Sequence, residues 1–351
     1  MYDKISIIDM KAVFVGEANS ISVKDVPTPE IGGGDVLVKM HACGLCGSDL
    51  EKVYGHYGVV SMRLGHEPAG EIVGLGKKVK DLKVGDRVFV HHHVPCYSCH
   101  YCNHEDYTMC PQYQKSNLEP CGLAEVFLVP EWNVSRGGLI KLPYNVSFEE
   151  AAMIEPLACC IRALNKSEMK KGDDVAIVGV GPAGIMHVIL AKIFGAGKIF
   201  AIDINDFRLD FAKRLGANVA INTTKHDATK IIKDSTENRG ADIAIVATGS
   251  TKAFQQSLDL VRSGGKVVIF GVPSKGSNVT LDVNRIFSNE IKLIPSLAAS
   301  ENETTQAFEL ITSKRLDIKP IITHRFSLAR ASDAIKCAYE AKDAMKVVVT
   351  S

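Results

Sequence analysis

Over roughly the first 150 residues, apolar and polar positions alternate in short runs, as in Val36-Leu37-Val38-Lys39-Met40 and Glu71-Ile72-Val73-Gly74. Turn signals such as Gly32-Gly33-Gly34-Asp35 and Val84-Gly85-Asp86-Arg87 punctuate them. A period of two broken by glycine and aspartate predicts a compact β-rich domain with few helices. Near Glu155 the pattern changes, and β-branched runs begin to alternate with amphipathic stretches. Strands are expected over Val175–Gly179, Lys198–Asp203, Val219–Thr223, Ile243–Thr248, Lys266–Gly271 and Ile291–Leu297. Helices are expected over Ala183–Phe194, Phe207–Leu215 and Lys252–Val261, with only a short one in Val279–Ser288. That order predicts a parallel, doubly wound sheet. From about Ser300 the pattern is mixed again, and this tail is expected to rejoin the first domain.

A chain of 351 residues is too long for one comfortable core, which agrees with two domains. Composition narrows the function. Lys+Arg number 41 against 40 Asp+Glu, so no net field draws in nucleic acid or an anionic membrane. No apolar run reaches the eighteen or so residues of a membrane span. The start Met1-Tyr2-Asp3-Lys4 lacks the basic and apolar segments of a secretory signal, so a cytoplasmic protein is expected. Ten cysteines in such a chain argue for metal rather than a disulfide framework.

Four of those cysteines form Cys96-x2-Cys99-x2-Cys102-x7-Cys110. Thiolates at this spacing can wrap one Zn²⁺ tetrahedrally, and four protein ligands leave no position for substrate. A structural zinc is the expectation; an iron–sulfur cluster or idle thiols are the rival readings. His91, His92 and His93 precede the lobe and are read as continuing the strand Arg87–Val90, outside the ligand set.

Gly179-Val180-Gly181-Pro182-Ala183-Gly184 fits G-x-G-x-x-G after an apolar strand and before a helix. The first glycine permits the tight turn, the second lets a pyrophosphate approach, and the third lets helix and strand pack closely. Asp203 closes the next strand, where a carboxylate receives a ribose 2′-hydroxyl and repels a 2′-phosphate. NAD is therefore expected rather than NADP, with Arg208 near enough to reach the ribose or a phosphate. The bland alternative is a turn that only packs a helix.

A second metal-capable group is scattered: Cys46 in Gly44-Leu45-Cys46-Gly47-Ser48-Asp49, then Gly65-His66-Glu67, then Ile154-Glu155-Pro156. A lone cysteine or histidine is more often packing than a ligand. Together with the Val84–Val88 turn, the cysteine lobe and the glycine fingerprint, however, these motifs stand in one order. In that order the chain resembles the zinc-containing medium-chain dehydrogenase/reductase superfamily of alcohol, polyol and threonine dehydrogenases, from about residue 11 to 350.

The resemblance implies a GroES-like β-rich catalytic domain over 1–156, rejoined by 298–351, and a Rossmann domain over 157–297. It implies two zincs per chain. Cys46 and His66 would bind the catalytic one, with Glu67 a ligand in some states and Glu155 binding directly or through water. Cys43 matches no family ligand and is read as a buried thiol. Ser48 stands at the hydroxyl of the family's proton relay; the next relay position, usually histidine, is Glu51. The implied activity is hydride transfer between a small alcohol or polyol and its aldehyde or ketone, a semialdehyde reductase working in reverse being the alternative. A non-enzymatic zinc-binding protein is the reading from another class. Polyol dehydrogenases carry an arginine after the last sheet strand; Ser296-Leu297-Ala298-Ala299-Ser300 here argues for a smaller or less polar substrate. A homotetramer or homodimer, joined through Ile291–Leu297, is implied as well.

Overall fold

The computed structural model describes residues 9–16, 20–54 and 63–351. The chain divides into two compact units, Met1–Ala158 with Ala299–Ser351, and Cys159–Ala298.

The first unit is built on a seven-stranded sheet. Its path runs Ile322–Ser327, Lys346–Thr350, Val36–Gly44, Glu67–Leu75, Arg87–Val90 and Leu139–Lys141, and Val126–Val129 also pairs with Val36–Gly44. The first pair is parallel and the other pairs are antiparallel. Alternation along Val36–Gly44 sends Val36, Val38 and Met40 into a core shared with Ile72, Val88 and Phe127. Each such side chain, fully withdrawn from water, contributes roughly 1.5–3 kcal/mol. Asp9–Val15 and Ile21–Pro27 form a separate antiparallel pair.

Register decides what meets at the end of the central strands. Gly44 lies opposite Glu67, and Val348 lies opposite Gly44 on the other side. The segments leaving Val36–Gly44, entering Glu67–Leu75 and entering Lys346–Thr350 therefore converge. One expectation fails here. The strand ends at Val90, so His91–His93 do not extend it. The Asn133 side-chain amide donates to the carbonyls of His91 (3.1 Å) and His92 (2.9 Å). The chain bends around Asn133, and both His91 and His92 are buried where a regular strand would alternate them.

The second unit is the doubly wound sheet. Its order is Val219–Asn222, Ile199–Asp203, Val175–Val178, Ala241–Val246, Val261–Ile269 and Lys292–Pro295, all parallel. Near-continuous apolar runs such as Ile199–Asp203, buried at every position, fit strands covered on both faces. The strand expected over Ile291–Leu297 is shorter, because Ile291 still bonds back to Ile286 at the end of the helix Val283–Ser288. No helix among the described residues is long and apolar enough to cross a membrane.

Candidate active site and metal centres

The Cys46 loop opens the helix Gly47–Tyr54, and His66 and Glu67 open the antiparallel strand beside it. Ligand atoms of Cys46, His66 and Glu67 all lie within 4.8 Å of one another. Asp49, fully buried, ties the two loops together. Its Oδ2 accepts from the Cys46 N–H at 3.2 Å, while Oδ1 accepts from the Gly65 N–H at 3.1 Å and lies 3.3 Å from His66 Nδ1. A carboxylate on Nδ1 fixes the tautomer and leaves Nε2 as the lone-pair nitrogen, the arrangement metal-binding histidines use. His66 Nε2 faces the Ser48 hydroxyl at 3.4 Å.

The electrostatics follow from that contact. Burial works against both charged forms, yet the His66 ring holds the Asp49 carboxyl well below its ordinary value. Burial likewise opposes the imidazolium of His66, but Asp49 and Cys46 keep it well above the usual histidine range. A cation at Nε2 would take the place of that proton.

Glu67 is fully buried and faces Lys346, whose ammonium lies 2.8 Å from Oε1 and 2.6 Å from Oε2. Burial depresses Lys346, but Glu67 outweighs it and the lysine stays protonated above its ordinary value. Gly44 makes room for this pair. A Cβ there would sit 1.9 Å from Glu67 Oε2 and 3.0 Å from Lys346 Cε.

Glu155, in the first turn of the helix Ile154–Ser167, groups with His91 and His92, their ligand atoms within 4.8 Å of one another. It remains close enough to Glu67 to push that carboxyl upward, after burial, against Lys346 and His66. Glu51 is half-buried, and its sheltered Oε2 has no hydrogen-bond partner among the described residues. Cys43 is fully buried, and burial holds its thiol well above the usual range.

The Cys96–Cys110 lobe draws its four sulfurs into one group. Cys96 and Cys102 sulfurs are 3.9 Å apart, and those of Cys99 and Cys102 are 3.6 Å apart. Four sulfurs about 2.3 Å from a tetrahedral zinc would be about 3.8 Å apart. The geometry fits that ion. Backbone N–H groups near Ser98 lower the Cys96 thiol to about 6, and burial pushes Cys102 up to about 12.

In the second unit Gly179 has φ +85°, and Gly184 packs so closely that a Cβ would meet the Gly179 carbonyl oxygen at 2.0 Å. The helix Pro182–Ile193 starts from Gly181, with Pro182 and Ala183 in its first turn. Asp203 accepts from the Val180 N–H at 2.8 Å, which holds its carboxylate against the glycine turn. Arg208 Nη1 lies 3.9 Å from Asp203 Oδ2 and flanks Gly181.

Two residues of the centre escaped the sequence reading. Asp49 had a signal, three positions after Cys46 in the motif itself. Lys346 had none; a lysine opening Lys346-Val347-Val348-Val349-Thr350 reads as a surface residue.

Comparison with known proteins adds to the geometry. The alcohol dehydrogenase GroES-like domain profile matches residues 32–144, and the zinc-binding dehydrogenase profile matches 182–313. Sorbitol dehydrogenase of Bacillus subtilis (strain 168) is 37% identical over 347 residues, 97% of each chain. The alcohol dehydrogenase TADH of Thermus sp. ATN1 is 30% identical, with a TM-score of 0.86 over 97% of this chain and 99% of that one. A zinc-binding dehydrogenase fold from Sinorhizobium meliloti 1021, solved with NADP, has a TM-score of 0.88 at 29% identity over 98% and 100%.

Proposed function

The chain belongs to the zinc-containing medium-chain dehydrogenase/reductase superfamily, and from that premise we propose how its residues divide the work and which substrate class they take. It is a zinc-dependent, nicotinamide-linked oxidoreductase acting on an alcohol CH–OH and its aldehyde or ketone. The observation that carries the reading is the convergence of Cys46, His66 and Glu67 around a histidine already oriented by Asp49.

Cys46, His66 and Glu67 hold the catalytic zinc, with Glu155 reaching it directly or through water. Cys96, Cys99, Cys102 and Cys110 hold a second, structural zinc. When bound, the catalytic zinc supplies a Lewis acid for the alcohol oxygen and the nicotinamide supplies the hydride acceptor. The protein's own part is positioning and proton transfer. Lys346 fixes Glu67 and opposes the burial that raises its carboxyl. Ser48, beside His66 Nε2, takes the alcohol proton and passes it toward solvent.

Glu51 accepts a hydrogen bond from a neighbouring substrate hydroxyl or continues the relay, which its sheltered Oε2, without a partner among the described residues, favours over a solvated role. A carboxylate there suits a secondary alcohol within a small diol or polyol, and the Bacillus relative's name points the same way. The absence of arginine from Ser296–Ser300 favours the second reading, a small alcohol of lower polarity. Gly179, Gly181, Pro182, Ala183 and Gly184 receive the dinucleotide phosphates. Asp203 takes the ribose hydroxyls, so NAD is preferred over NADP, with Arg208 alongside. The edge strand Lys292–Pro295, flanked by exposed Phe287 and Leu297, joins copies into a homo-oligomer.

The test is a rate panel on zinc-loaded protein with short alcohols, diols, polyols, threonine and semialdehydes, each with NAD(H) and NADP(H). Diol or polyol turnover with NAD, reduced by Glu51→Gln, supports the reading. Turnover confined to monohydric alcohols and indifferent to Glu51→Gln removes the polyol assignment; no zinc-dependent turnover by Cys46 protein removes the site.

A further inference from the structure

We propose that His91 is a positioning residue for Glu155 at the Cys46 centre, and that Glu301 braces it for this task. The inference rests on the reading of Cys46, His66 and Glu67 as the catalytic set with Glu155 beside them. His91 and Glu155 are buried, at 1% and 5% exposure, and a ring nitrogen of one lies within 4.8 Å of an oxygen of the other.

Both oxygens of the Glu301 carboxylate are engaged. Oε1 accepts from His91 Nδ1 at 2.7 Å, and Oε2 accepts from the Tyr97 hydroxyl. A carboxylate only accepts, so Nδ1 carries the proton and the ring is held along that bond. Glu301 is itself fixed. It opens the helix Glu301–Thr312, where Glu303 accepts from the Ser300 N–H at 2.9 Å and from its hydroxyl at 2.7 Å. Just before it, the Ala299 carbonyl accepts from the Tyr113 hydroxyl at 2.6 Å. On the other side the Asn133 amide holds the His91 carbonyl at 3.1 Å, and the His92 ring meets that of His91 edge-on.

This bracing aims Nε2. That atom is buried without a hydrogen-bond partner among the described residues, a state that costs about 1–3 kcal/mol. The cost is offset if the nitrogen holds the neighbouring carboxylate in place. The separation from Glu155 is one that a bridging water spans, and burial strengthens the link. Glu155 in turn lies close enough to Glu67 to raise that carboxyl. The series Glu301, His91, Glu155 therefore ends at the catalytic set. Asp49 and Glu301 do comparable work, each placing a carboxylate on a histidine Nδ1. Asp49 orients a ligand, whereas Glu301 orients the residue that holds Glu155.

The test is a double-mutant cycle on the full chain, read by kcat, KM and the cobalt d–d bands that Cys46→Ser removes. The best substrate from the rate panel serves for turnover, and the lobe's cobalt–thiolate bands report that each variant is folded. His91→Leu should shift the d–d bands and lower kcat about 10–100-fold with KM nearly unchanged. In Glu155→Gln protein the same substitution should change kcat by no more than about twofold. Glu301→Leu should reproduce His91→Leu, and Glu301→Gln, which keeps an acceptor for Nδ1, should recover most of the loss. The full His91→Leu loss repeated in Glu155→Gln protein would overturn the inference, because His91 would then act without Glu155. So would wild-type bands and kcat in His91→Leu or in Glu301→Leu. Failure of the underlying reading looks different: Glu155→Gln alone then leaves bands and kcat unchanged, and the inference falls with it.

Discussion

The cysteine lobe and the Cys46 centre are built in opposite ways. The lobe gathers its four sulfurs from Cys96 to Cys110, a local loop that needs little more than its own turns to bring them together. The Cys46 centre draws on Cys46, His66, Glu67 and Lys346, positions that meet only because three strands pair in the observed register. A local site can form from spacing; a dispersed one exists only in the folded sheet. The first should therefore fail by unfolding the loop, the second by losing chemistry.

Paired substitutions break that comparison most sharply. Cys46→Ser removes Lewis-acid stabilisation worth several kcal/mol, so kcat should fall by roughly 10³-fold or more with little change in melting temperature. Cys99→Ser should do the reverse, lowering the melting temperature while molecules that remain folded keep their kcat. Steady-state kinetics and thermal melts on both proteins check this.

Next in size is Lys346→Met. It strands the Glu67 carboxylate where neither group meets water, and breaking such a pair costs about 3–5 kcal/mol, read from urea denaturation. The lobe's metal should stay bound. Gly44→Ala should cost about 1–3 kcal/mol and weaken zinc only at the Cys46 centre, because the new methyl collides with the Glu67 carboxylate. Metal release to a chelator, followed in two phases, separates the centres.

The smallest effect is a control outside both centres. His187 is fully buried with neither ring nitrogen partnered among the described residues, and burial drops its pKa to about 3. The unfolded chain protonates this ring below about pH 6.5, whereas the folded chain does not until about pH 3. Its contribution is intact above pH 6.5 and is lost as pH falls between these values. By pH 5 that amounts to about 2 kcal/mol. His187→Leu should lack this part of the acid sensitivity, while the part carried by other shifted groups such as His93 and Glu150 remains.

The same contrast explains what could be read in advance. Cys96 to Cys110 and Gly179 to Gly184 carry their geometry in spacing, so the clustering of the sulfurs and the tight glycine turn before the helix were legible. The alternating texture before Glu155 and the βα texture after it were enough for the architecture. Cys46, His66 and Glu67 needed a family resemblance, because no local spacing links them. Lys346 was invisible: its burial depends on a partner 279 residues away. The inward turn of His91 and His92 was misread, since the bend is imposed by Asn133 from a distant segment. Long-range contacts hide what local patterns cannot encode.

The most direct test of the account is zinc content measured alongside substrate turnover in Cys46→Ser and Cys99→Ser. The account predicts that each variant loses one zinc relative to wild type and that only Cys46→Ser loses turnover per folded molecule. A Cys46→Ser protein that keeps its full zinc and its turnover would contradict it.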